Sequence, residues 1–197
     1  RFNLQAGQAG NPDFTARGAS MGSTASSYWV VGAGGLYQGF DSGGNFIVFN
    51  HNPNAPKSQK VLKMSHDGER LLVAPGEIDD VWSPQFNNDG FFQLSQYSWS
   101  NVSNNDFGNY QDIVAIIADP ADPQHAYASS YDNGILEFQN NVFQGIIDGS
   151  NSPLPELNGG GHRVGGFSAD VEGNIWFTNS LTDAPLGVIR ADGSVEA

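Results

Sequence analysis

Short apolar runs alternate with clusters of Gly, Asn, Asp, Ser and Pro along most of this chain. Residues 113–117 are a continuous apolar run, residues 119–123 form a turn with two prolines, and residues 126–130 then alternate apolar and polar side chains. Runs of this length, bounded by turn residues, are typical of β-strands. No stretch keeps the 3.6-residue period of a helix over three turns, so the pattern predicts an all-β protein.

Three aspartates recur within this pattern at nearly equal intervals. Asp67, Asp119 and Asp170 are separated by 52 and 51 residues, and each follows one apolar run and precedes a turn and a second run. A repeat of about 50 residues built from short strands is typical of β-propeller blades. We therefore predict a β-propeller with about four blades, each of four antiparallel strands.

The predicted units cover about residues 27–58, 59–109, 110–161 and 162–197. Residues 1–26 are polar and rich in small side chains, and we expect them to be irregular or to complete another blade. We assign the whole chain to one β-propeller or propeller fragment. Because closed propellers leave few exposed strand edges, we expect the four units to belong to a larger propeller of six to eight blades.

The charge balance excludes two classes of partner. There are 8 Lys and Arg against 21 Asp and Glu, which gives a net charge of −13. Nucleic-acid binding needs clustered cations, and so does a polybasic membrane-surface patch. No apolar run approaches the ~20 residues of a membrane span, so we predict a chain that does not span the membrane. The absence of cysteine excludes thiolate metal sites and a cysteine nucleophile.

The three repeated aspartates are candidate metal ligands or catalytic acids by residue type. Their regular recurrence instead favours carboxylates that accept backbone N–H bonds in their own turns. Asp41, Asp79 and Asp80 are candidate calcium ligands by residue type, but they do not have the spacing of an EF-hand. The four histidines form no close-spaced pair of the kind that a zinc site uses. We therefore predict no catalytic residue, no cofactor and no metal site.

A candidate contact surface lies in one of the loops that do not repeat. Trp82 stands in the acidic and aromatic segment 77–88, close to Asp79 and Asp80. Rim loops carry much of the function of propellers. We therefore predict that Trp82, Asp79 and Asp80 contact a ligand or partner, and we expect the other tryptophans to pack within blades.

A family resemblance appears in the last two units. The segment Asp170-Val-Glu-Gly-Asn-Ile-Trp-Phe-Thr resembles the propeller repeat of bacterial two-component regulators, although Asn179-Ser180 replaces the Gly-Gly usual after that Thr. Residues 119–138 and 151–179 resemble a blade of the PorZ-type component of type IX secretion. The resemblance covers roughly residues 112–197.

This resemblance implies a cell-surface protein of Bacteroidota that is built from β-propellers and a further C-terminal β-domain, so the present chain would be a fragment. Its relatives help to attach exported cargo to anionic lipopolysaccharide. We therefore expect a non-enzymatic scaffold at the cell surface or outer membrane, with the periplasm as the alternative. The implied partners are other secretion-system proteins, with lipopolysaccharide or a glycan as a further candidate, and no nucleic acid.

Two other functions stay open at this point. The first is the periplasmic, oligosaccharide-sensing propeller of a hybrid two-component regulator. The second is a propeller glycoside hydrolase or lyase. Sialidase-type chemistry needs clustered arginines for the substrate carboxylate, and the arginines here are scattered over the units.

Overall fold

The regular structure of the described residues is β-strand, apart from a 3₁₀ helix at Asn104–Phe107. The computed structural model describes residues 16–21, 27–32, 35–42, 45–51 and 53–197. In chain order the strands are β1 (Ala16–Met21), β2 (Ser27–Gly32), β3 (Gly35–Ser42), β4 (Asn45–His51), β5 (Lys63–His66), β6 (Arg70–Ala74), β7 (Phe91–Ser95), β8 (Ser98–Val102), β9 (Ile113–Ala118), β10 (His125–Ser130), β11 (Gly134–Gln139), β12 (Val142–Ile147), β13 (Val164–Ala169), β14 (Ile175–Asn179), β15 (Leu186–Ile189) and β16 (Val195–Glu196).

The strands form four antiparallel sheets in which each strand pairs with its neighbours in the sequence. Sheet 1 contains β1 to β4, sheet 2 contains β5 to β8, sheet 3 contains β9 to β12 and sheet 4 contains β13 to β16. A four-stranded meander is the blade of a propeller, so the predicted fold class is confirmed. The chain divides into two compact units, Arg1–Asn54 with sheet 1 and Ala55–Ala197 with sheets 2 to 4.

Sheet 1 contains the apolar runs at residues 28–31, 36–40 and 46–49, which the sequence predicts as strands. β3 and β4 pair from Leu36 opposite His51 to Ser42 opposite Asn45. The ring of Trp29 lies 5.1 Å from that of His51, and Tyr37 is buried. The two glycines within residues 41–45 predict a hairpin turn, and its tip, residues 43–44, lies outside the described residues.

Sheet 3 is the middle sheet of the second unit, and its sequence explains why. β9 lies beside both β5 and β13. Its side chains are buried at five of six positions, which fits a continuous apolar run covered on both faces. The outer strand β12 instead has a mixed exposure, with Val142 exposed. The middle position therefore follows from the apolar content of β9 to β11.

Two apolar cores flank sheet 3. Between sheets 2 and 3, the rings of Phe91 and Phe107 both pack edge-on against Phe138, with centroids 4.9 and 5.3 Å away. Between sheets 3 and 4, Ile135, Phe177 and Ile189 are buried in a second cluster. Full burial of each such side chain contributes about 1.5–3 kcal/mol, so these two cores hold the three sheets together.

The sheets of the second unit have two different ends. Connections alternate between the ends because every sheet is an antiparallel meander. The turn end carries residues 67–69, 96–97, 119–124, 140–141, 170–174 and 190–194, and the long-loop end carries residues 75–90, 103–112, 131–133, 148–163 and 180–185. The aspartate repeat therefore lies at one end, and the loop of Trp82 lies at the other.

The structure changes three local expectations. Ala16–Met21 is not irregular but forms the fourth strand of sheet 1, which fits the alternative that part of the first 26 residues completes a blade. Pairing with β2 requires backbone groups rather than an apolar pattern, and the rest of residues 1–26 lies outside the described ranges. The segment 97–99 predicts an outer strand that begins at Tyr97, but Gln96 and Tyr97 both have positive φ, as a two-residue type I′ hairpin turn requires, and the strand begins at Ser98. Residues 101–109 are dominated by Asn, Ser, Asp and Gly, which predicts a loop, but β8 and the 3₁₀ helix occupy most of this segment.

Candidate functional site

The three repeated aspartates cap the turns in which they stand. Asp67 Oδ1 accepts hydrogen bonds from the backbone N–H groups of Glu69 and Arg70, at 2.9 and 2.6 Å. Asp119 Oδ1 accepts one from Ala121 at 2.8 Å. Asp170 Oδ1 accepts two, from Glu172 at 3.0 Å and from Asn174 at 2.9 Å. The predicted role of these carboxylates in their turns is confirmed.

The second oxygen of each aspartate binds the side chain of an equivalent residue. The backbone N–H of each aspartate donates to the carbonyl of Arg70, His125 or Asn174, in turn order. The side chains of those same three residues bind Oδ2 at 2.8, 2.9 and 2.9 Å. One turn design thus recurs three times, with a different donor in each blade.

The pKa values of two of these carboxyls reflect their donors. Hydrogen bonds from Asn174 and Trp176 lower the pKa of Asp170 to about 2. For Asp67, burial favours the protonated form, but the bonds from Arg70 and Glu69 outweigh it and lower the pKa. Both groups are ionised at neutral pH and occupied by donors, so they serve the turns rather than a reaction.

The 75–90 loop is held from beneath by a buried carboxylate. Asp112 is 1% exposed and lies just before β9. Its Oδ1 accepts hydrogen bonds from the backbone N–H groups of Asn87 at 2.8 Å and Glu77 at 3.3 Å, and its Oδ2 accepts one from Phe86 at 2.8 Å. Because an unpaired buried N–H is costly, Asp112 fixes the course of this loop.

This loop exposes three large apolar side chains. Val81 is 78% exposed, Trp82 53% and Phe86 64%. Trp82 and Phe86 have φ values of 60° and 59°, which bulky residues adopt only when their surroundings hold them there. We call these three side chains the apolar surface of the long-loop end.

The predicted contact residues Asp79 and Asp80 have different places in this loop. Asp79 Oδ1 accepts the backbone N–H groups of Val81 and Ser83, at 3.0 and 2.8 Å, so Asp79 shapes the turn that carries Trp82. Asp80 is exposed. The structure therefore brings Asp79 into the support of the loop and leaves Trp82 and Asp80 at its surface.

Residues from loops of sheets 3 and 4 lie beside the apolar surface. The hydroxyl of Tyr131 donates to the backbone carbonyl of Trp82. The guanidinium of Arg163 lies over the Tyr131 ring, 5.0 Å from its centroid, and its Nε donates to Asp132 at 2.8 Å. Loops that lie far apart in the sequence therefore support one surface.

The 148–163 loop is anchored by a buried histidine. His162 Nε2 accepts the backbone N–H of Gly149 at 3.0 Å, and the opposite ring nitrogen donates to the carbonyl of Pro155 at 3.1 Å. Asn179 of β14 donates to the same carbonyl at 2.8 Å. Both ring nitrogens of His162 are thus used in holding the loop.

A cleft of about 670 Å³ opens between sheets 3 and 4. On its sheet 3 side, His125 lies between two carboxylates, with Nδ1 2.9 Å from Asp119 and Nε2 2.8 Å from Glu137. Burial favours neutral His125, but the hydrogen bonds to these carboxylates outweigh it and raise its pKa. Burial and the charges of Glu137 and Asp119 also raise the pKa of Tyr127, whose ring packs against His125.

Within the described ranges, no group of three or more acidic or histidine side chains is placed to hold a metal ion. The same part of the chain contains no helix that is both long and apolar enough to cross a membrane.

The sequence did not predict the residues that support the 75–90 loop or the charged residue that lines the cleft. A charged residue in the buried strand β11 is a signal that could have identified Glu137. No comparable signal marks Asp112, since its contacts lie 25 to 35 residues away in the sequence. Tyr131 and Arg163 likewise stand in loops without a recognisable motif.

The comparisons with known proteins concern the fold. No family model matches the sequence, and no curated protein matches it. PorZ, described as an essential bacterial surface component of the type-IX secretion system of Porphyromonas gingivalis, is similar in structure, with a TM-score of 0.65 and 17% identity over 92% of this chain. PorZ is thus a structural neighbour of the chain, which supports the predicted resemblance at the level of fold.

Two further neighbours have other functions. The extracellular domain of a putative one-component system from B. thetaiotaomicron has a TM-score of 0.50 with 15% identity over 93% of this chain. The GH74 enzyme of Niastella koreensis has a TM-score of 0.52 with 13% identity over 89% of this chain. The chain spans 25%, 27% and 29% of the lengths of PorZ, the extracellular domain and the enzyme. The fold is therefore shared by proteins of different function.

Proposed function

We propose that this chain is a non-enzymatic recognition segment of a cell-envelope protein, and that it binds a protein partner through its long-loop end. The wider role is that of a surface component of type IX secretion which helps to attach exported cargo to lipopolysaccharide. The exposure of Val81, Trp82 and Phe86 on a loop held by buried Asp112 carries this proposal. The fold of PorZ and the resemblance over residues 112–197 support the secretion context.

The chemistry of the apolar surface favours a protein partner. Tryptophan is among the usual anchors of protein interfaces, and aromatic side chains such as Phe are enriched there. Two nearby cations are already paired, Lys60 with Glu77 and Arg163 with Asp132. A chain with a net charge of −13 is repelled by the phosphates of lipopolysaccharide. Trp82 and Asp80 are therefore assigned to contacts with a protein of the secretion apparatus, and Asp79 to positioning Trp82.

The carboxylates beside the apolar surface have roles in the loop. Asp79 and Asp112 bind backbone N–H groups, and Asp132 binds Arg163. Catalysis by a pair of carboxylates needs oxygens free to face a substrate. Asp112 meets this requirement at neither oxygen, since both are bound to backbone N–H groups, so the proposal of recognition rests on the exposed apolar side chains rather than on the carboxylates.

The test is site-specific photo-cross-linking of the full-length protein in its native envelope. A benzophenone side chain at position 82 should capture one outer-membrane protein of the secretion apparatus. The matched control is position 97, since Tyr97 is a fully exposed aromatic of the same sheet at the turn end. With the purified partner, Trp82→Ala should weaken binding by about 30-fold, as expected for an anchor residue, and Tyr97→Ala should leave it unchanged.

Three results would contradict the proposal. Equal capture at positions 82 and 97 would remove the long-loop end as the interface. A saturable rise in melting temperature with a defined oligosaccharide would favour the sensor propeller instead. Turnover of a polysaccharide by purified protein would establish an enzyme.

A further inference from the structure

The cleft between sheets 3 and 4 has an arrangement that the proposed function does not use. Tyr127, Glu137 and Gly145 stand opposite one another on β10, β11 and β12. Directly paired residues of antiparallel strands point to the same face of their sheet. All three line the cleft, so this row of sheet 3 faces sheet 4.

A glycine keeps this row open. A Cβ atom at Gly145 would meet no other atom within 4 Å, so the space beyond it is empty. A larger apolar residue at this position would extend the core between the sheets. A side chain at this point of the outer strand would therefore project into open space of the cleft.

The inner wall of the cleft is apolar. It is lined by Ile147 of sheet 3, and by Ile175, Ile189 and Val195 of sheet 4. All four residues belong to or pack against the core between the two sheets. The inner wall is thus a continuation of a packed core that reaches solvent at the cleft.

The rim of the cleft is negatively charged. Asp119, Asp122, Glu137 and Asp192 line it together with His125 and Arg190. Arg190 is neutralised by Glu196, through two bonds of 3.0 and 2.6 Å, and His125 is shared by Asp119 and Glu137. Asp122 and Asp192 receive only neutral donors, from Gln124, Gln139 and Ser194. The rim therefore carries more negative charge than its own cations compensate.

Glu137 has an oxygen available to a ligand. His125 binds its Oε1, and within the described part of the chain no hydrogen bond is made to its Oε2. The Glu137 side chain is 36% exposed, whereas His125 is 14% exposed. Glu137 is therefore held in place by His125 on one side and is open on the other.

We propose that this cleft binds a small organic cation with a primary ammonium group on a short apolar chain. The ammonium group would bind Glu137 on the negatively charged rim, and the chain would lie against Ile147, Ile175 and Ile189. A volume of about 670 Å³ is within the usual range of small-molecule sites. A free alkylamine and a lysine side chain of a partner share this chemistry.

The test is an NMR titration of the full 197-residue chain with hexan-1-amine at pH 7. Saturable shifts are expected for the backbone amides of Glu137, Gly145 and Ile147. Hexan-1-ol and hexanoate, which keep the apolar chain without the positive charge, should give no saturable shift there. A parallel titration with N-acetyl-lysine methylamide distinguishes the sources, because tighter binding of the lysine derivative assigns the site to a partner's lysine.

Two variants test separately the charge of Glu137 and the open space beside Gly145. Glu137→Gln should weaken hexan-1-amine binding at least tenfold, whereas Glu69→Gln, which removes the same charge far from the cleft, should not change it. Gly145→Leu should abolish binding by filling the cleft. If Gly145→Leu fails to fold, Glu137→Gln decides alone. Equal shifts with hexan-1-ol, unchanged binding in Glu137→Gln, or shifts spread over the whole surface would each overturn the proposal.

Discussion

The two ends of the sheets in the second unit stabilise their connecting segments in different ways. At the turn end, each of three aspartates binds backbone groups two to four residues away, so every turn is stabilised by its own sequence. At the long-loop end, the 75–90 loop depends on Asp112, which follows it by 22 residues or more. Local repetition marks the architecture, and the loops that do not repeat carry the surface available for recognition.

The largest expected effect is at the long-loop end, where support comes from one buried group. Asp112→Ala leaves three backbone N–H groups without their acceptor and places Ala at φ 47. It should lower the free energy of unfolding by about 3 kcal/mol or more, measured by urea denaturation. Asp112→Asn tolerates the same φ and keeps one acceptor oxygen, so its loss should be smaller.

The control for this pair of variants is Asp106→Asn, which changes an exposed aspartate of the 3₁₀ helix. It should stay within about 0.5 kcal/mol of the original chain. Hydrogen exchange gives the local readout, since the amides of Glu77, Phe86 and Asn87 should lose protection in Asp112→Ala. Retained protection at these amides would show that the loop does not depend on Asp112.

An intermediate effect is expected at the turn end, and it should differ between blades. Asp67→Ala leaves the Arg70 guanidinium, only 6% exposed, without its partner. We expect a loss of about 2 kcal/mol, between the values for exposed and buried ion pairs. Asp170→Ala leaves only neutral donors unpaired, on Asn174 and Trp176, and should shift the urea midpoint less. Equal midpoints would mean that the donor type does not matter.

The smallest effect is a pH dependence at His125. Its folded pKa is raised above the ordinary 6.5, so its contribution to stability is complete below pH 6.5 and is lost as pH rises through the folded pKa. Neutral His125 can donate to only one of Asp119 and Glu137, whereas the charged form donates to both.

The measurement is the difference in unfolding free energy between the original chain and His125→Gln at pH 6.0 and pH 8.5. The difference should shrink at pH 8.5 by less than about 1 kcal/mol, since the group is partly exposed. His66→Gln, at an exposed position of sheet 2, serves as the control and should show no such change. A difference that grows with pH would contradict the assigned charge state.

Much of the fold could be predicted because its signals are local. Apolar runs such as 113–117 and the turn chemistry after Asp119 depend on neighbouring residues, and both reappear in the sheets. The errors arose where local signals were weak or absent. β1 is held by pairing with β2 rather than by its own sequence, and the turn at Tyr97 requires backbone angles that its residue type does not indicate.

The candidate sites were less predictable than the fold. Trp82 is predicted as a contact from its place beside Asp79 and Asp80 in a loop that does not repeat, but the sequence did not reveal that Asp79 supports the loop or that Tyr131 and Arg163 lie beside it. The cleft depends on Glu137 and Gly145 sharing a face, which is a matter of strand register. Register is set by pairing across the sheet, so it follows only from the assembled structure.

The sequence by itself determined most of the strands and turns and the repeat of Asp67, Asp119 and Asp170, because these features rest on contacts between residues a few positions apart. Only the tertiary structure decided that Asp112 supports the loop of Trp82 and that Glu137 faces an open cleft beside His125. These relations join residues from different loops, strands and sheets. Their geometry depends on how the sheets pack, and no local pattern in the chain encodes it.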